Sequence, residues 1–89
     1  MSNSKEFLIA ADTVKQLSKT PTTYDLQVLY GLYKQATVGD INIKKPEFLN
    51  FKEVKKWESW NSYKGLSKFD TEVKYIVYVN ELIQKYGVN

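Results

Sequence analysis

Two segments of this chain set lysines beside aromatic rings. One is Tyr33-Lys34-Gln35-Ala36-Thr37-Val38-Gly39-Asp40, and the other is Lys56-Trp57-Glu58-Ser59-Trp60-Asn61. Tyr30 lies four residues before Lys34, so the two share a helix face. Lys56 adjoins two tryptophans that are themselves three residues apart. A fold that converges these residues presents ammonium groups and planar rings together. Lysine serves phosphate as a point charge, and a base stacked on an aromatic face gains about 1–3 kcal/mol. The chemistry they suit is capture of a phosphorylated nucleotide.

The composition narrows the alternatives. The 89 residues contain no histidine and no cysteine, which excludes disulfides, thiolate metal sites and serine–histidine or cysteine–histidine nucleophile pairs. Glu47, Glu53 and Glu58 are scattered, as carboxylates that serve solubility are. No catalytic residue, metal site or cofactor is expected, and the chain reads as a non-enzyme. All 13 basic residues are lysine and the formal charge is only +3. Without arginine, the commonest bidentate reader of bases is missing, so a nucleic-acid partner is not expected. Phe7-Leu8-Ile9-Ala10-Ala11 is too short for a signal-peptide core, and no run approaches the ~18 apolar residues of a membrane span. The expectation is one cytoplasmic domain spanning residues 1–89, and no exposed heptad argues for an oligomer.

Four helices must position the lysines and rings. The first reads from Ser4, a capping residue, to Leu17, with Phe7, Ala11, Val14 and Leu17 on one face. Pro21 breaks it, and the threonines around it cap the next. The second runs from Thr23 to Val38 with a core stripe of Leu29, Leu32, Tyr33 and Ala36, and Gly39 stops it. Residues 40–52 read as a loop carrying Ile41, Ile43, Phe48, Leu49 and Phe51. A loop so apolar must pack on the body or be functional. The third helix runs from Glu53 to Tyr63. The fourth runs from Ser67 to Tyr86, with overlapping stripes of Val73, Ile76, Val79 and Ile83 and of Tyr75, Val79 and Leu82. Trp57 and Trp60 at i, i+3 mark an inner face, so both read as packing residues. The fold class is an all-α four-helix bundle with one long connection.

With the helices placed, the run from Tyr33 to Asn42, Pro46, Lys56-Trp57, Trp60-Asn61, Lys64-Gly65, Tyr75, Leu82 and Lys85-Tyr86-Gly87 resembles the acyl-CoA-binding protein family. Phe7, Ala10-Ala11, Val14-Lys15 and Leu17 fit as well, so the match is colinear from Phe7 to Val88. The resemblance implies an up-down-down-up bundle that binds medium- and long-chain fatty acyl-CoA esters and carries them inside the cell. It places Tyr30, Lys34, Lys56 and Tyr75 at the adenine and ribose 3′-phosphate, and Lys15 at a further head-group contact. Leu26, Gln27, Lys52 and Lys55 fall near the acyl chain. The apolar loop residues and the start of the second helix would shield that chain. Roughly eight covered methylenes contribute about 6 kcal/mol.

An isolated tyrosine or lysine on an amphipathic helix is more often a core or solvated residue. For Tyr30, Lys34 and Lys56, spacing and resemblance together reverse that reading. The chain departs from the family pattern at Glu53-Val54, where members usually have glycine then lysine. It departs again at Lys55, where a small residue is usual, at Gln27, where an apolar one is common, and at Gly31-Leu32. Glu53 stands three residues before Lys56 and is placed to pair with it. Gly31 costs its helix about 1 kcal/mol against alanine. The rival reading is a helical interaction domain that holds an acidic protein or membrane surface through its lysines. Such contacts are screened by salt over ~8 Å.

Overall fold

Serine and threonine hydroxyls begin three of the four helices in the computed structural model, which describes residues 3–89. Helix α1 covers Lys5–Thr13, α2 Thr23–Thr37, α3 Phe51–Ser62 and α4 Lys68–Tyr86. Ser4 Oγ accepts the Phe7 N–H at 3.2 Å, and Ser67 Oγ accepts the Asp70 N–H at 3.0 Å. At α2 the exchange is reciprocal: Thr22 Oγ1 accepts the Asp25 N–H at 3.1 Å, and Asp25 Oδ2 accepts the Thr22 N–H at 3.3 Å. Each cap satisfies an amide that the first turn leaves open, worth about 1 kcal/mol. The expected all-α four-helix bundle is the observed architecture.

The first helix is shorter than its apolar spacing predicts. It gives way at Val14–Gln16 to a 3₁₀ turn, and Leu17 leaves the helix in an extended conformation. Thr13 Oγ1 donates to the Ile9 carbonyl at 2.8 Å, a back-bond that bends helices. The C-terminal residues supply the partners that a longer helix would have used. Gly87 O accepts the Ser18 N–H at 2.8 Å, and Gln16 O accepts the Asn89 N–H at 3.0 Å. Leu17 and Val88 thus form an isolated antiparallel bridge, and Leu17 still reaches the core. Gly87, at φ 75°, makes the turn that brings the tail back.

Helix α2 packs against both α3 and α4, and α1 packs against α4. The bundle is a slab of 37 × 31 × 15 Å, so each helix buries only one stripe. Phe7 and Ala10 of α1, Leu29, Leu32 and Ala36 of α2, and Tyr75, Val79 and Leu82 of α4 form the core. Of the two stripes on α4 the one through Tyr75, Val79 and Leu82 is buried, while Val73 is exposed. Tyr33, expected in the α2 stripe, is also exposed, because the slab ends at that edge of α2. Asp25 joins α2 to α4: its carboxylate accepts hydrogen bonds from the Tyr78 (2.7 Å) and Tyr86 (3.1 Å) hydroxyls.

The segment between α2 and α3 departs from expectation. Helix α3 starts two residues earlier than expected, at Phe51. Trp60 is buried and its Nε1–H donates to Gly39 O at 2.7 Å, as a packing residue should. Trp57 is only half-buried, and its Nε1–H donates to Ile43 O at 2.8 Å, so it fastens the loop and does not fill the core. Of the apolar residues expected there, Ile41 is half-buried, but Ile43, Phe48, Leu49 and Phe51 are exposed.

Gly31 stands where α2 and α3 touch. A Cβ there would lie 2.7 Å from the Ser59 carbonyl carbon and oxygen. Gly31→Ala is therefore expected to destabilise the protein by about 1–3 kcal/mol, opposite in sign to the propensity gain, as a lowered denaturation midpoint. A second expectation concerns acid. The hydrogen bond from Tyr78, joined by those from Thr22 and Tyr86, outweighs burial and holds the Asp25 carboxyl below the ordinary value of 3.8. A depressed carboxyl contributes stability above that ordinary value and loses it as pH falls through the folded value. Melting temperature should fall as pH drops below 3.8, and Asp25→Asn should melt lower at neutral pH with a shallower acid dependence.

Candidate functional site

Tyr30 and Tyr33 lie three residues apart on α2 and open onto two different clefts. The first, of about 460 Å³, lies between α2 and α3 and is lined by Thr23, Leu26, Gln27, Tyr30, Lys52 and Lys56. The second, of about 360 Å³, is lined by Leu8, Ala11, Asp12, Val14 and Lys15 on one side and by Tyr33 and Tyr75 on the other. Capped α2 is the wall common to both. Tyr30 faces the first and Tyr33 the second, while Lys34, four residues after Tyr30, lines neither.

The cations are held against rings. Lys56 Nζ sits 4.7 Å from the centre of the Tyr30 ring, and Lys34 Nζ sits 5.0 Å from that of Trp60. Such contacts are worth about 0.5–1 kcal/mol at exposed sites and keep a flexible ammonium over a fixed place. Lys56 also has an acidic neighbour, with Nζ 3.4 Å from Glu53 Oε2. The pair expected from the sequence thus forms, and Glu53 competes for the positive charge that faces the first cleft.

Of the residues picked out by sequence, Tyr30, Lys56, Leu26, Gln27 and Lys52 converge on the first cleft. Lys15 and Tyr75 meet in the second. Tyr75 has less freedom than a stacking partner needs. It is 3% exposed, with its ring 4.9 Å from Phe7 and 6.1 Å from Tyr33, and burial pushes its hydroxyl up to about 12. Tyr33, which the sequence reading assigned to the core, is 42% exposed in the same cleft and backed by Phe7 at 5.7 Å. The signal for it was its place three residues after Tyr30 and next to Lys34.

Lys55 does not reach the first cleft. It lies on the flank of α3 facing Tyr24, Gln27 and Tyr63, with Nζ 3.6 Å from Glu58 Oε1. One residue from Lys56 is about 100° around the helix, enough to leave the shared face. The expected shielding by the loop also falls away for Phe48 and Leu49, which line neither cleft. A larger hollow of about 490 Å³ lies between α2 and α4, but its charged residues, Lys74 and Glu81, offset each other. The first cleft carries Lys52 and Lys56 with no acid in its lining, so it is the candidate site for an anion; in the second, Lys15 stands beside Asp12.

Known proteins share this sequence and fold. The family profile described as Acyl CoA binding protein matches residues 4–79. Acyl-CoA-binding protein 2 of Saccharomyces pastorianus is 49% identical over 84 residues, covering 94% of this chain and 97% of that protein. The crystal structure of Oryza sativa Acyl-CoA-Binding Protein 2 superposes with a TM-score of 0.87 at 38% identity, over 91% of this chain and 88% of that one. The solution structure of the yeast acyl coenzyme A binding protein gives a TM-score of 0.76 at 46% identity, over 94% and 98%.

The Glu53–Lys56 pair yields an expectation of its own. Surface pairs of this kind are worth about 0.2–1 kcal/mol, so freeing Lys56 by Glu53→Gln should tighten binding of a phosphorylated nucleotide by up to about fivefold. Calorimetry at low and high salt checks it, and the gain should shrink as salt rises.

Proposed function

Because the chain belongs to the acyl-CoA-binding protein family, we propose that it binds medium- and long-chain fatty acyl-CoA esters with high affinity and carries them through the cytoplasm as a monomer. The observation that carries this reading is the pairing of two clefts across α2, with Lys56 over Tyr30 in one and Lys15 beside Tyr33 in the other. A coenzyme A ester has two parts that require different surroundings: a nucleotide with a 3′-phosphate, and a hydrocarbon chain. The clefts offer both.

In this reading Lys34 and Lys56 surround the 3′-phosphate with charge-assisted hydrogen bonds. Tyr30 and Tyr33 offer their faces to the adenine, and Tyr75 supports Tyr33 from below. Lys15 meets a further anionic group of the head. The acyl chain runs along Leu26 and the aliphatic stems of Gln27 and Lys52, which bury methylenes while their polar ends stay in water. Shielding the thioester requires no bond to be made or broken. The chain has no histidine or cysteine from which to build a nucleophile pair. The protein is a carrier, and its exchange partners are membranes and enzymes that use acyl-CoA.

Titration with palmitoyl-CoA should give saturable one-to-one binding at micromolar or lower concentration. A thioester lacking the 3′-phosphate should bind at least about tenfold more weakly, since a hydrogen bond to a charged group contributes about 1.5–3 kcal/mol. Lys34→Ala and Lys56→Ala should each lose a similar factor toward the full ligand and little toward the dephosphorylated one. Equal affinity for the two esters would remove these lysines from the phosphate.

A further inference from the structure

Lys15 stands on a piece of backbone that does not support itself. Its 3₁₀ turn, Val14–Gln16, is three residues long and has no side-chain cap. Such short runs have poor hydrogen-bond geometry. The Leu17 side chain reaches the core and fixes where the backbone passes. One side chain does not fix how that backbone is rotated about its own direction, and the rotation decides where a neighbouring lysine points.

The rotation is set by residues 87–89. Gln16 O accepts the Asn89 N–H at 3.0 Å, and Gly87 O accepts the Ser18 N–H at 2.8 Å. Gln16 O belongs to the peptide before Leu17 and the Ser18 N–H to the peptide after it. Both planes flanking Leu17 are thus held by one bridge to Val88. The bridge needs glycine. Gly87 has φ 75° and ψ 169°, a region all but closed to residues with a Cβ. Its own N–H still closes α4 on Ile83 O at 2.8 Å. Gly87 therefore ends the helix and lays residues 88 and 89 alongside Leu17 in one step. The held turn also arranges charge. Lys15 lines the second cleft with Tyr33 and Tyr75, and Asp12 lies in the same lining. Gln16 Nε2 donates to Asp12 Oδ2 at 3.4 Å, so the clamped neighbour of Lys15 supplies that carboxylate with a partner. Lys15 forms no ion pair among the described residues, which leaves its ammonium for a ligand.

We propose that Gly87, Val88 and Asn89 are positioning residues for Lys15: their bridge to Leu17 holds the turn so that the ammonium faces the second cleft and the anionic head of the ligand. The role rests on the carrier reading above, in which Lys15 meets the head group; the bridge itself is measured without ligand.

The test combines palmitoyl-CoA calorimetry at low ionic strength with amide exchange on the ligand-free protein. The Ser18 amide should be protected in the wild type and exchange at least about tenfold faster in Gly87→Ala, whose Cβ does not fit the turn. Asn89→Pro, which removes only the donor to Gln16 O, is a milder second variant. Lys15→Ala should weaken binding by up to about fivefold, the range of an exposed ion pair, and each bridge variant by no more than that. Coupling separates positioning from general loosening. Gly87→Ala should have no further effect when added to Lys15→Ala, and its full effect when added to Lys56→Ala in the other cleft. A variant that merely loosened the fold would lower affinity alike in both backgrounds. Four results overturn the proposal: an unprotected Ser18 amide in the wild type, full affinity in both bridge variants, an undiminished effect in the Lys15→Ala background, or a Lys15→Ala protein that binds as the wild type does. A wild type that protects Ser18 yet shows no saturable binding refutes the carrier reading and the positioning role with it. A wild type that binds, beside bridge variants of full affinity, refutes the positioning role alone.

Discussion

The close approach of α2 and α3 at Gly31 and Ser59 is the constraint on which the rest depends. The Ser59 carbonyl occupies the space of a side chain at position 31, and Ser59 Oγ donates to Gln27 O at 2.5 Å. Tyr30 is adjacent to Gly31, and Lys56 lies one turn before Ser59. The carbonyl and hydroxyl of Ser59 thus lie directly against α2, and this close approach brings Lys56 of α3 over the Tyr30 ring.

On either side of that contact the energetic terms are individually small and share one direction. Lys34 and Lys56 each lie over a ring, Glu53 draws Lys56 back, and Lys15 waits at the second cleft. Exposed pairs and cation–π contacts of this kind contribute little to folding. Their effect is to restrict where four-carbon ammonium chains spend their time, which lowers the entropy cost of meeting an anion. Stability comes from elsewhere, from the Phe7, Val79 and Leu82 core and from Asp25 tying α2 to α4.

Much of this was legible in the residues. Ser4, Thr22 and Ser67 announce the helix starts because a cap needs only a short oxygen and a neighbouring amide. The shared face of Tyr30 and Lys34, and the proximity of Glu53 to Lys56, follow from helical geometry alone. What was misread involves partners distant in sequence. Gly31 reads as a propensity cost until Ser59 is seen against it. Trp57 reads as core until the Ile43 carbonyl meets its indole N–H. Phe48, Leu49 and Phe51 read as residues that pack on the body or serve function, and the turn at Glu47–Asn50 directs two of them outward. Tyr33 has the period of a core residue, but its edge of the slab has no further layer to bury it.

The sequence by itself determined the number and order of the helices, the caps of three of them and the exclusion of thiol and imidazole chemistry, because these depend on composition and on neighbours within a few residues. Only the tertiary structure decided which aromatic face is free. Tyr33 and Tyr75 are both tyrosines at helical positions, and nothing local distinguishes them. Phe7, contributed by another helix, lies against both rings, and the slab then closes over Tyr75 and leaves Tyr33 open. Burial is a property of how elements stack, and stacking is settled by all the helices at once.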